Sequence, residues 1–470
     1  MSANPGRRFV EWVKSRFGLR TNVLRPVPEY SLSPLYWLGA LTVIAFALQV
    51  FTGLLMMIYY VPTVDQAYSS TQFIIRSVPL GWLLETVHLY GAYAMILLAM
   101  LHLLRGYFLS VQKKPREMMW VIGVVMGLAV MGFGLTGYLL PWTVVSKSAT
   151  DVSIGMLSFL PAQIGPIVTF LIAGDGSSAG ELTRFFDLHI VVLPAMLLSL
   201  LALKLFLFEA HGAAEPATGA KESREIPWFP TVYLYFAMIG SVLIAVIVMA
   251  SVLFPVNLAA QFTPLAASNY VPQPEWYFLW MYQVLKFTSF EGSGIYYALG
   301  AVTILLVGLI VLPFIDRGLA RNPRSRPLYT TVGTVVVAEL VVLTAWGYLT
   351  PGQIIPDVEA VEVIGTVALA AALATAFLLR TPRGIQRVSS ATKPVLLALV
   401  FPLKNRWAAS VFVVLLSVGS VCFANLVDSI FGIALSSPVL ILNITGLITT
   451  FYAMARIMRS LTVKYERSQP

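Results

Sequence analysis

Residues 80–109 read LGWLLETVHLYGAYAMILLAMLHLLRGYFL, a largely apolar stretch that contains two histidines, His88 and His102. A run of this length is sufficient to cross the roughly 30 Å hydrocarbon core of a bilayer as an α-helix. At about 100° and 1.5 Å per residue, His102 returns to nearly the same helix face as His88, about 21 Å along the axis. The stretch therefore predicts a membrane-spanning helix that carries one imidazole near each membrane surface.

The composition extends this prediction to the whole chain. Of its 470 residues, 58% are hydrophobic and 11% are charged, against about 25% charged residues in a typical soluble protein. This excludes a soluble enzyme, a disordered chain, a coiled coil and a nucleic-acid scaffold. We predict an all-α, polytopic transmembrane helical bundle of about ten spans, at residues 34–59, 80–109, 119–141, 184–209, 229–254, 293–314, 327–349, 361–379, 407–427 and 434–456.

The basic residues orient the predicted spans. The chain has 31 Lys and Arg against 22 Asp and Glu, a formal charge of +9. When both termini are placed in the cytoplasm, the only basic residues left outside are Arg76, Lys147, Arg184 and Lys286. Cytoplasmic loops carry an excess of Lys and Arg. We therefore expect an integral protein of a bacterial or archaeal cytoplasmic membrane with both termini cytoplasmic.

Breaks in the hydropathy predict four parts. Residues 1–30 contain apolar positions at helical spacing among basic ones, which predicts an amphipathic helix on the membrane surface. A linker, AHGAAEPATGAKESREIPW, follows a four-helix part at 31–212 and leads into a three-helix part at 213–350. Residues 351–470 would add further spans of unknown role. Two long external segments, 142–183 and 255–292, are expected to be folded loops with a function.

Glycines repeat with the same period as the two histidines. Gly39 and Gly53 lie on the first span and Gly123 and Gly137 on the third, each pair fourteen residues apart. Small residues let a flat macrocycle approach a helix backbone, and imidazole is a good ligand for haem iron. One such pair is typical of ordinary helix packing. Three pairs with one period instead favour two haems stacked across the membrane, held in an N-terminal four-helix haem-binding bundle.

Four stretches carry a specific family resemblance: GWLLETVHLYGAYAMILLAMLHLLRGYF, GFGLTGYLLPW, LTRFFDLHIVVLP and PQPEWYFLW. Over about residues 8–350 the chain resembles the cytochrome b family of the cytochrome bc and b6f quinol oxidoreductases. The layout is similar to a cytochrome b6 fused to a subunit IV and followed by extra C-terminal helices. The resemblance implies two haems b, the outer one on His88 and His189 and the inner one on His102, with Arg105 and Arg184 near propionates.

The chain departs from the family at the fourth iron ligand. The family expects a second histidine on the fourth span, and the spacing from His189 to Pro194 puts Lys204 at that position. A lysine binds iron only as the neutral amine. We predict that His102 and Lys204 ligate the inner haem. The alternative is that Lys204 extends to the cytoplasmic interface, leaving a five-coordinate haem on His102 or none. His211 is a weak substitute ligand and a better candidate for a quinone site or a proton path.

Three other residues bear on the cofactors. Glu85 stands where the family usually has an arginine, and a carboxylate there repels a propionate unless one of them is protonated; Glu85 could equally lie at the interface without a role. Trp37 is near the cysteine position of the covalent-haem branch, so no third haem is expected. The single cysteine, Cys422, excludes an iron–sulfur cluster or a c-type haem held by this chain.

The stretch PEWY is the family's signature for an outer quinol site. Quinol oxidation releases protons, and a mobile carboxyl group suits proton acceptance. The resemblance therefore implies Glu275, with Tyr277, as the catalytic residues. The acidic residue expected at an inner quinone site is absent from IPWFPTVYLYF, so that site is undecided. The quinone pocket implied by the resemblance consists of Tyr138, Pro141, Trp142, Pro274, Trp276 and Phe278.

Taken together, the residues predict the membrane-embedded cytochrome b subunit of a bc-type complex. It would oxidise quinol outside and pass electrons through two haems towards an inner quinone site, coupled to proton translocation. The expected partners are a Rieske-type iron–sulfur protein, a cytochrome c-type subunit or acceptor, and a second copy in a homodimer. Two alternatives stay open: a quinone-binding or structural membrane subunit with one haem and no complete electron path, and a non-redox polytopic transporter.

Overall fold

The described part of the chain is a bundle of membrane-crossing α-helices. The computed structural model describes residues 26–157, 159–160, 165–174, 177–216, 225–290, 292–318 and 320–380. Within these residues, eight helices are long and apolar enough to cross a membrane. The first eight predicted spans are thereby confirmed. The last two, 407–427 and 434–456, and the surface helix predicted within 1–30, fall almost entirely outside the described residues.

Four spans form the N-terminal bundle. They are α1 (Pro34–Met57), α3 (Gly81–Phe108), α4 (Glu117–Leu139) and the continuous helix made by α7 (Ser178–Asp187), a π-helical turn (Leu188–Val192) and α8 (Leu193–His211). α1 packs along α3, and α4 packs between α3 and α8. Their shared core includes Phe46 from α1, Met95 and Ile96 from α3, and Val130 from α4.

The fourth span is interrupted at its first predicted ligand. His189 lies in the π-helical turn Leu188–Val192, and Pro194 follows at the start of α8. Proline has no backbone N–H and its ring clashes with the preceding turn, so the regular i to i−4 hydrogen bonding cannot continue through it. π-helical turns of this kind often occur at functional sites. Here the turn sets the direction in which the His189 side chain leaves the helix.

Four more spans follow the linker. They are α9 (Tyr233–Leu253), α12 (Ile295–Ile315), α13 (Pro327–Leu349) and α14 (Asp357–Arg380). α9 packs against α1 and α3, α12 against α4, and α14 against α13. Of these spans, α9 and α12 pack directly on the N-terminal bundle, and α14 packs on α13.

The two long segments predicted to be external are folded, as expected, and the structure also joins them to each other. The first contains α5 (Val144–Leu157) and α6 (Gly165–Ala173), and the second contains α10 (Pro264–Ser268) and α11 (Leu279–Leu285). The backbone N–H of Val144 donates to Ala260 O at 2.9 Å, and that of Phe262 donates to Trp142 O at 3.1 Å. A short helix, α2 (Ala67–Ser77), lies in the connection from α1 to α3.

Polar contacts join the two halves at the predicted cytoplasmic side. The short strand β1 (Val27–Pro28) pairs antiparallel with β2 (Glu225–Ile226). Buried Asp316, just after α12, forms an ion pair with Lys113 at 3.2 Å and with Arg326. Lys113 also donates to Ala320 O at 2.6 Å. These contacts connect the loop between α3 and α4 with the loop between α12 and α13.

Candidate functional site

The outer histidines face each other across the bundle. His88 lies on α3 and His189 on the π-helical turn, and their ring centroids are 6.3 Å apart. Bonds from a metal to an imidazole nitrogen are about 2 Å long, so two imidazoles that share one ion place their centroids roughly 6 Å apart. The observed separation matches that requirement without any movement of the helices.

Two threonines fix the tautomers of this pair. Thr52 donates to Leu48 O at 2.8 Å, so its oxygen accepts the Nδ1–H of His88, also at 2.8 Å. Thr136 has the same role: it donates to a backbone carbonyl one turn earlier and accepts from Nδ1 of His189 at 3.1 Å. In both rings Nε2 keeps its lone pair, as a metal ligand requires, and partners of this kind orient ligating histidines.

Glycines make room beside both rings. A Cβ built on Gly53 would lie 3.3 Å from Cε1 of His88, and a Cβ on Gly137 would lie 2.6 Å from Cε1 of His189. Carbon atoms prefer separations of about 3.5–4.0 Å, so a side chain at Gly137 is incompatible with this ring position.

The inner site repeats the arrangement with a lysine. A Cβ on Gly39 would lie 3.1 Å from Cε1 of His102, and a Cβ on Gly123 would lie 3.0 Å from Nζ of Lys204. The Lys204 amine therefore lies beside Gly123 of α4. It is also close enough to His102 for its charge to act on the imidazole. Each of the four predicted ligand side chains therefore lies next to one of the four predicted glycines, and no two ligands share a glycine.

Two buried polar atoms of the inner site have no hydrogen-bond partner among the described residues. They are Nδ1 of His102 and Nε of Arg105. Arg105 also stacks its guanidinium 4.1 Å from the ring centroid of Tyr36. An unpaired buried polar group costs about 1–3 kcal/mol. A haem propionate is a carboxylate, the acceptor that a guanidinium pairs with best, so the inner residues fit a haem as the outer ones do.

Four residues discussed in the sequence lie away from these contacts. Arg184 is exposed on α7, with its guanidinium 5.5 Å from the ring centroid of Phe170. Glu85 is half-buried, and its carboxylate lies 3.5 Å from the Thr86 hydroxyl. His211 ends α8 and is exposed, and Trp37 donates to a backbone carbonyl.

A small, mainly apolar cavity of about 20 Å³ lies between α5 and the PEWY segment, on the side of the bundle predicted to be external. Of the predicted pocket residues, Pro274 and Phe278 line it. The other lining residues were missed, although on α5 they follow the i, i+3, i+4, i+7 spacing of one helix face. They are Ala149, Val152, Ser153 and Met156 of α5, with Pro272, Met281, Tyr282 and Leu285 from the second external segment.

The remaining predicted pocket residues do not line this cavity. Trp142 is buried, has a positive φ of 51°, and borders a separate open recess of about 330 Å³, with Pro141 directly before it. Tyr277 is buried and donates to Gly134 O at 3.3 Å. Trp276 packs edge-on against Tyr93 of α3.

The Glu275 carboxyl is held from α3. Tyr93 donates its hydroxyl proton to Oε2 of Glu275 at 2.7 Å, and Glu275 is not among the residues that line the cavity. Burial raises the pKa of Glu275 above its usual range, and the hydrogen bonds from Tyr93 and from the Trp276 backbone oppose that rise. A carboxyl group with a raised pKa is better matched to proton exchange near neutral pH.

An ion cluster supports the opposite face of α5. Buried Lys147 lies 3.1 Å from Glu181 of α7 and also forms an ion pair with Asp151 one turn later on α5. Its ammonium lies 5.7 Å from the ring centroid of Trp142 and 5.6 Å from that of Phe262. Since the cavity residues are on the other side of the same helix, this cluster fixes the position of the cavity wall.

Comparison with known proteins identifies relatives for most of the chain. The family described as cytochrome b/b6/petB matches residues 24–212, and the family described as cytochrome b(C-terminal)/b6/petD matches residues 263–364. The cytochrome b subunit of a cytochrome bc complex from Chlorobaculum thiosulfatiphilum is 36% identical over 348 residues, which cover 71% of this chain and 79% of that protein.

Two further relatives agree with this match. Cytochrome b from Sulfolobus acidocaldarius is 32% identical over 397 residues, covering 76% of this chain and 69% of that protein. A solved structure described as a hyperthermophilic respiratory Complex III matches with a TM-score of 0.63 and 24% identity, over 79% of this chain and 96% of the matched chain. At that identity the structural match supports the fold alone.

Proposed function

The chain belongs to the cytochrome b family and is an integral membrane subunit of a bc-type electron-transport complex; we propose that it holds two haems b, one near each membrane surface, and oxidises quinol at the external cavity. The observation that carries this proposal is the pairing of four ligand side chains with four glycines, at both ends of one bundle. A bundle without a flat cofactor has no reason to repeat that pairing with a fourteen-residue period.

The residues that hold the cofactors have separable tasks. Haem b, when bound, supplies reversible one-electron transfer. Thr52 and Thr136 keep Nε2 of His88 and His189 available as ligands. At the inner site Arg105, whose buried Nε has no partner among the described residues, would pair with a propionate. Its neighbours His102 and Lys204 would provide one neutral nitrogen each, which requires the Lys204 amine to lose its proton when the iron binds.

The external cavity supplies the quinol site. Its apolar walls suit a flat ring. The enclosed space of about 20 Å³ has room for about one water molecule, so α5 and the PEWY segment must move apart to admit a quinol. Glu275 accepts a proton released from quinol, and Tyr277 packs beside it. The first electron leaves to a Rieske-type iron–sulfur protein on a separate chain and then to a cytochrome c-type acceptor. The second passes across the bundle towards an inner quinone, so proton release outside and uptake inside build a gradient. A homodimer within the complex completes the proposal.

The haem content of the purified complex tests the proposal. We expect two haems per chain and two resolved components in a reduced-minus-oxidised spectrum. One haem favours the alternative of a quinone-binding or structural subunit without a complete electron path. No haem favours a non-redox transporter and rejects the proposal.

Two variants of one residue test the ligation of the inner haem. Lys204→Ala should change the spin state or the occupancy of one haem and leave the other unaltered. Lys204→His offers an imidazole at the same position and should restore a low-spin spectrum. Unchanged spectra in Lys204→Ala would remove Lys204 from the coordination shell while leaving the outer site unaffected.

A further inference from the structure

We propose that Tyr93 is a positioning residue for quinol oxidation, whose hydroxyl holds the ionised Glu275 carboxyl away from the cavity until quinol offers a replacement hydrogen bond. The inference rests on the proposed quinol site and adds a residue and a selectivity to it. Tyr93 lies on α3, five residues after His88 and 182 residues before Glu275 in the sequence. The contact therefore joins the haem-binding helix to the PEWY segment.

The orientation of Glu275 is the first observation. Its neighbours Pro274 and Phe278 line the cavity, whereas Glu275 does not. Its Oε2 accepts from the Tyr93 hydroxyl at 2.7 Å, a separation typical of an O–H donor on a carboxylate. In this state the carboxyl is turned towards α3, so it must rotate before it can accept a proton from a ligand in the cavity.

The chemistry of the two donors is the second observation. Tyr93 offers Glu275 a phenolic O–H, and a quinol also offers an aromatic O–H. Rotation in the presence of quinol exchanges one such hydrogen bond for another, so the carboxylate is never left buried and unpaired. A quinone has no O–H to donate. With quinone in the cavity, rotation leaves the carboxylate without a donor, and Glu275 stays on Tyr93. The hydrogen bond from Tyr93 to Glu275 thus lets the carboxyl rotate towards quinol but not towards quinone, the oxidation product.

Among the described residues, Tyr93 is the side-chain hydrogen-bond donor to the Glu275 carboxyl. Within the part of the chain that the structure describes, the titratable groups that face it are four tyrosines: Tyr93 from α3, Tyr138 from α4, and Tyr270 and Tyr277 from its own segment. The hydrogen bond from Tyr93 lowers the pKa of Glu275, against the larger upward effect of burial. Removing the hydroxyl therefore moves the ionisation of Glu275 to higher pH.

Tyr93→Phe in the intact complex tests the inference, because it removes one hydroxyl and keeps the ring packed on Trp276 and Tyr277. We expect the acid limb of kcat/KM for quinol to move up by about one pH unit, the size typical of one charge-assisted hydrogen bond, and product quinone to inhibit more strongly. The matched control is Tyr90→Phe, on the same helix, whose hydroxyl donates to Phe254 O at 2.8 Å. That control should leave the acid limb and the inhibition unchanged.

A double variant separates positioning from structural damage. If Tyr93 acts through Glu275, Tyr93→Phe should have no further effect on the pH profile in a Glu275→Gln background. An equal loss of rate in both backgrounds would overturn the inference, as would an unshifted acid limb in Tyr93→Phe. Infrared titration of the Glu275 carboxyl band gives a readout that needs no turnover: the band should titrate at higher pH in Tyr93→Phe and be absent in Glu275→Gln. A wild-type complex that does not oxidise quinol would refute the proposed function instead.

Discussion

Gly137→Ala should weaken binding of the outer haem, and the size of the effect follows from one distance. The added Cβ would lie 2.6 Å from Cε1 of His189, whereas carbon atoms pack at about 3.5 Å or more. The ring must therefore move by roughly 1 Å, away from the position that places it opposite His88. Overpacking of this kind costs about 1–3 kcal/mol, which corresponds to a roughly five- to 150-fold loss of haem affinity.

Two other glycines make this a graded series. Gly53→Ala brings its Cβ to 3.3 Å from Cε1 of His88, so a shift of a few tenths of an ångström is enough and the loss should be smaller. Gly127 lies on α4 with Gly137, and a Cβ added there would meet no atom of the described residues within 4 Å. Gly127→Ala should cost no haem affinity and gain up to about 1 kcal/mol from helix propensity.

The assay is the haem content of each purified complex together with the rate of haem loss to a scavenger protein. We expect the order Gly127→Ala, Gly53→Ala, Gly137→Ala, from least to most haem loss, with the inner haem retained throughout. If Gly137→Ala lost its outer haem no faster than Gly127→Ala, the glycines would not be needed to make room for a cofactor. The pairing of four glycines with four ligand side chains would then no longer support haem binding.

Three further substitutions have defined outcomes. Thr136→Val removes the acceptor for the His189 Nδ1–H and should lower the affinity for the outer haem about 10- to 100-fold. The rate of haem loss measures this effect, and an unchanged rate would show that Thr136 does not set the tautomer of His189. Lys147→Met leaves Glu181 buried without the ammonium that lies 3.1 Å away and should lower the free energy of unfolding by about 3 kcal/mol. The complex should have a lower Tm, and the double variant Lys147→Met/Glu181→Gln should partly restore it. Glu275 must be ionised to accept a proton and burial raises its pKa, so kcat/KM should fall as the pH drops through a value above 4.5; Glu275→Gln should abolish this limb, and its persistence would assign the limb to another group.

The sequence predicts the spans and the register of the ligands because both follow from periodicity. Fourteen residues is close to a whole number of helical turns, so His88 and His102 share a face whatever else packs around them. The same period puts Gly123 and Gly137 on one face of α4. Side-chain hydrogen bonds such as Thr136 to His189 depend on rotamers and on the relative rotation of two helices, which periodicity does not determine.

The cavity wall shows where prediction from the sequence ends. The loop after Trp142 was expected to be folded, but which face of α5 meets the PEWY segment is set by the ion pair from Lys147 to Glu181, a contact between distant residues. Trp142 itself has a positive φ and is buried beside Phe262. A left-handed backbone conformation is rare for tryptophan, and the residues next to Trp142 do not predict it. The position of Trp142 outside the cavity therefore could not have been predicted from the sequence.

The contacts between β1 and β2, and from Lys113 to Asp316, have a consequence for gene architecture. The first connects a segment before the linker with the last residues of the linker itself. The second connects the loop between α3 and α4 with the loop between α12 and α13 through buried charge. Trp120 adds another such bond, from its indole to Leu309 O at 2.6 Å. The two halves therefore recognise each other without a peptide bond between them. We expect that the reading frame can be cut within the linker and expressed as two polypeptides that reassemble in the membrane. One fused chain and two separate chains would then form the same assembly.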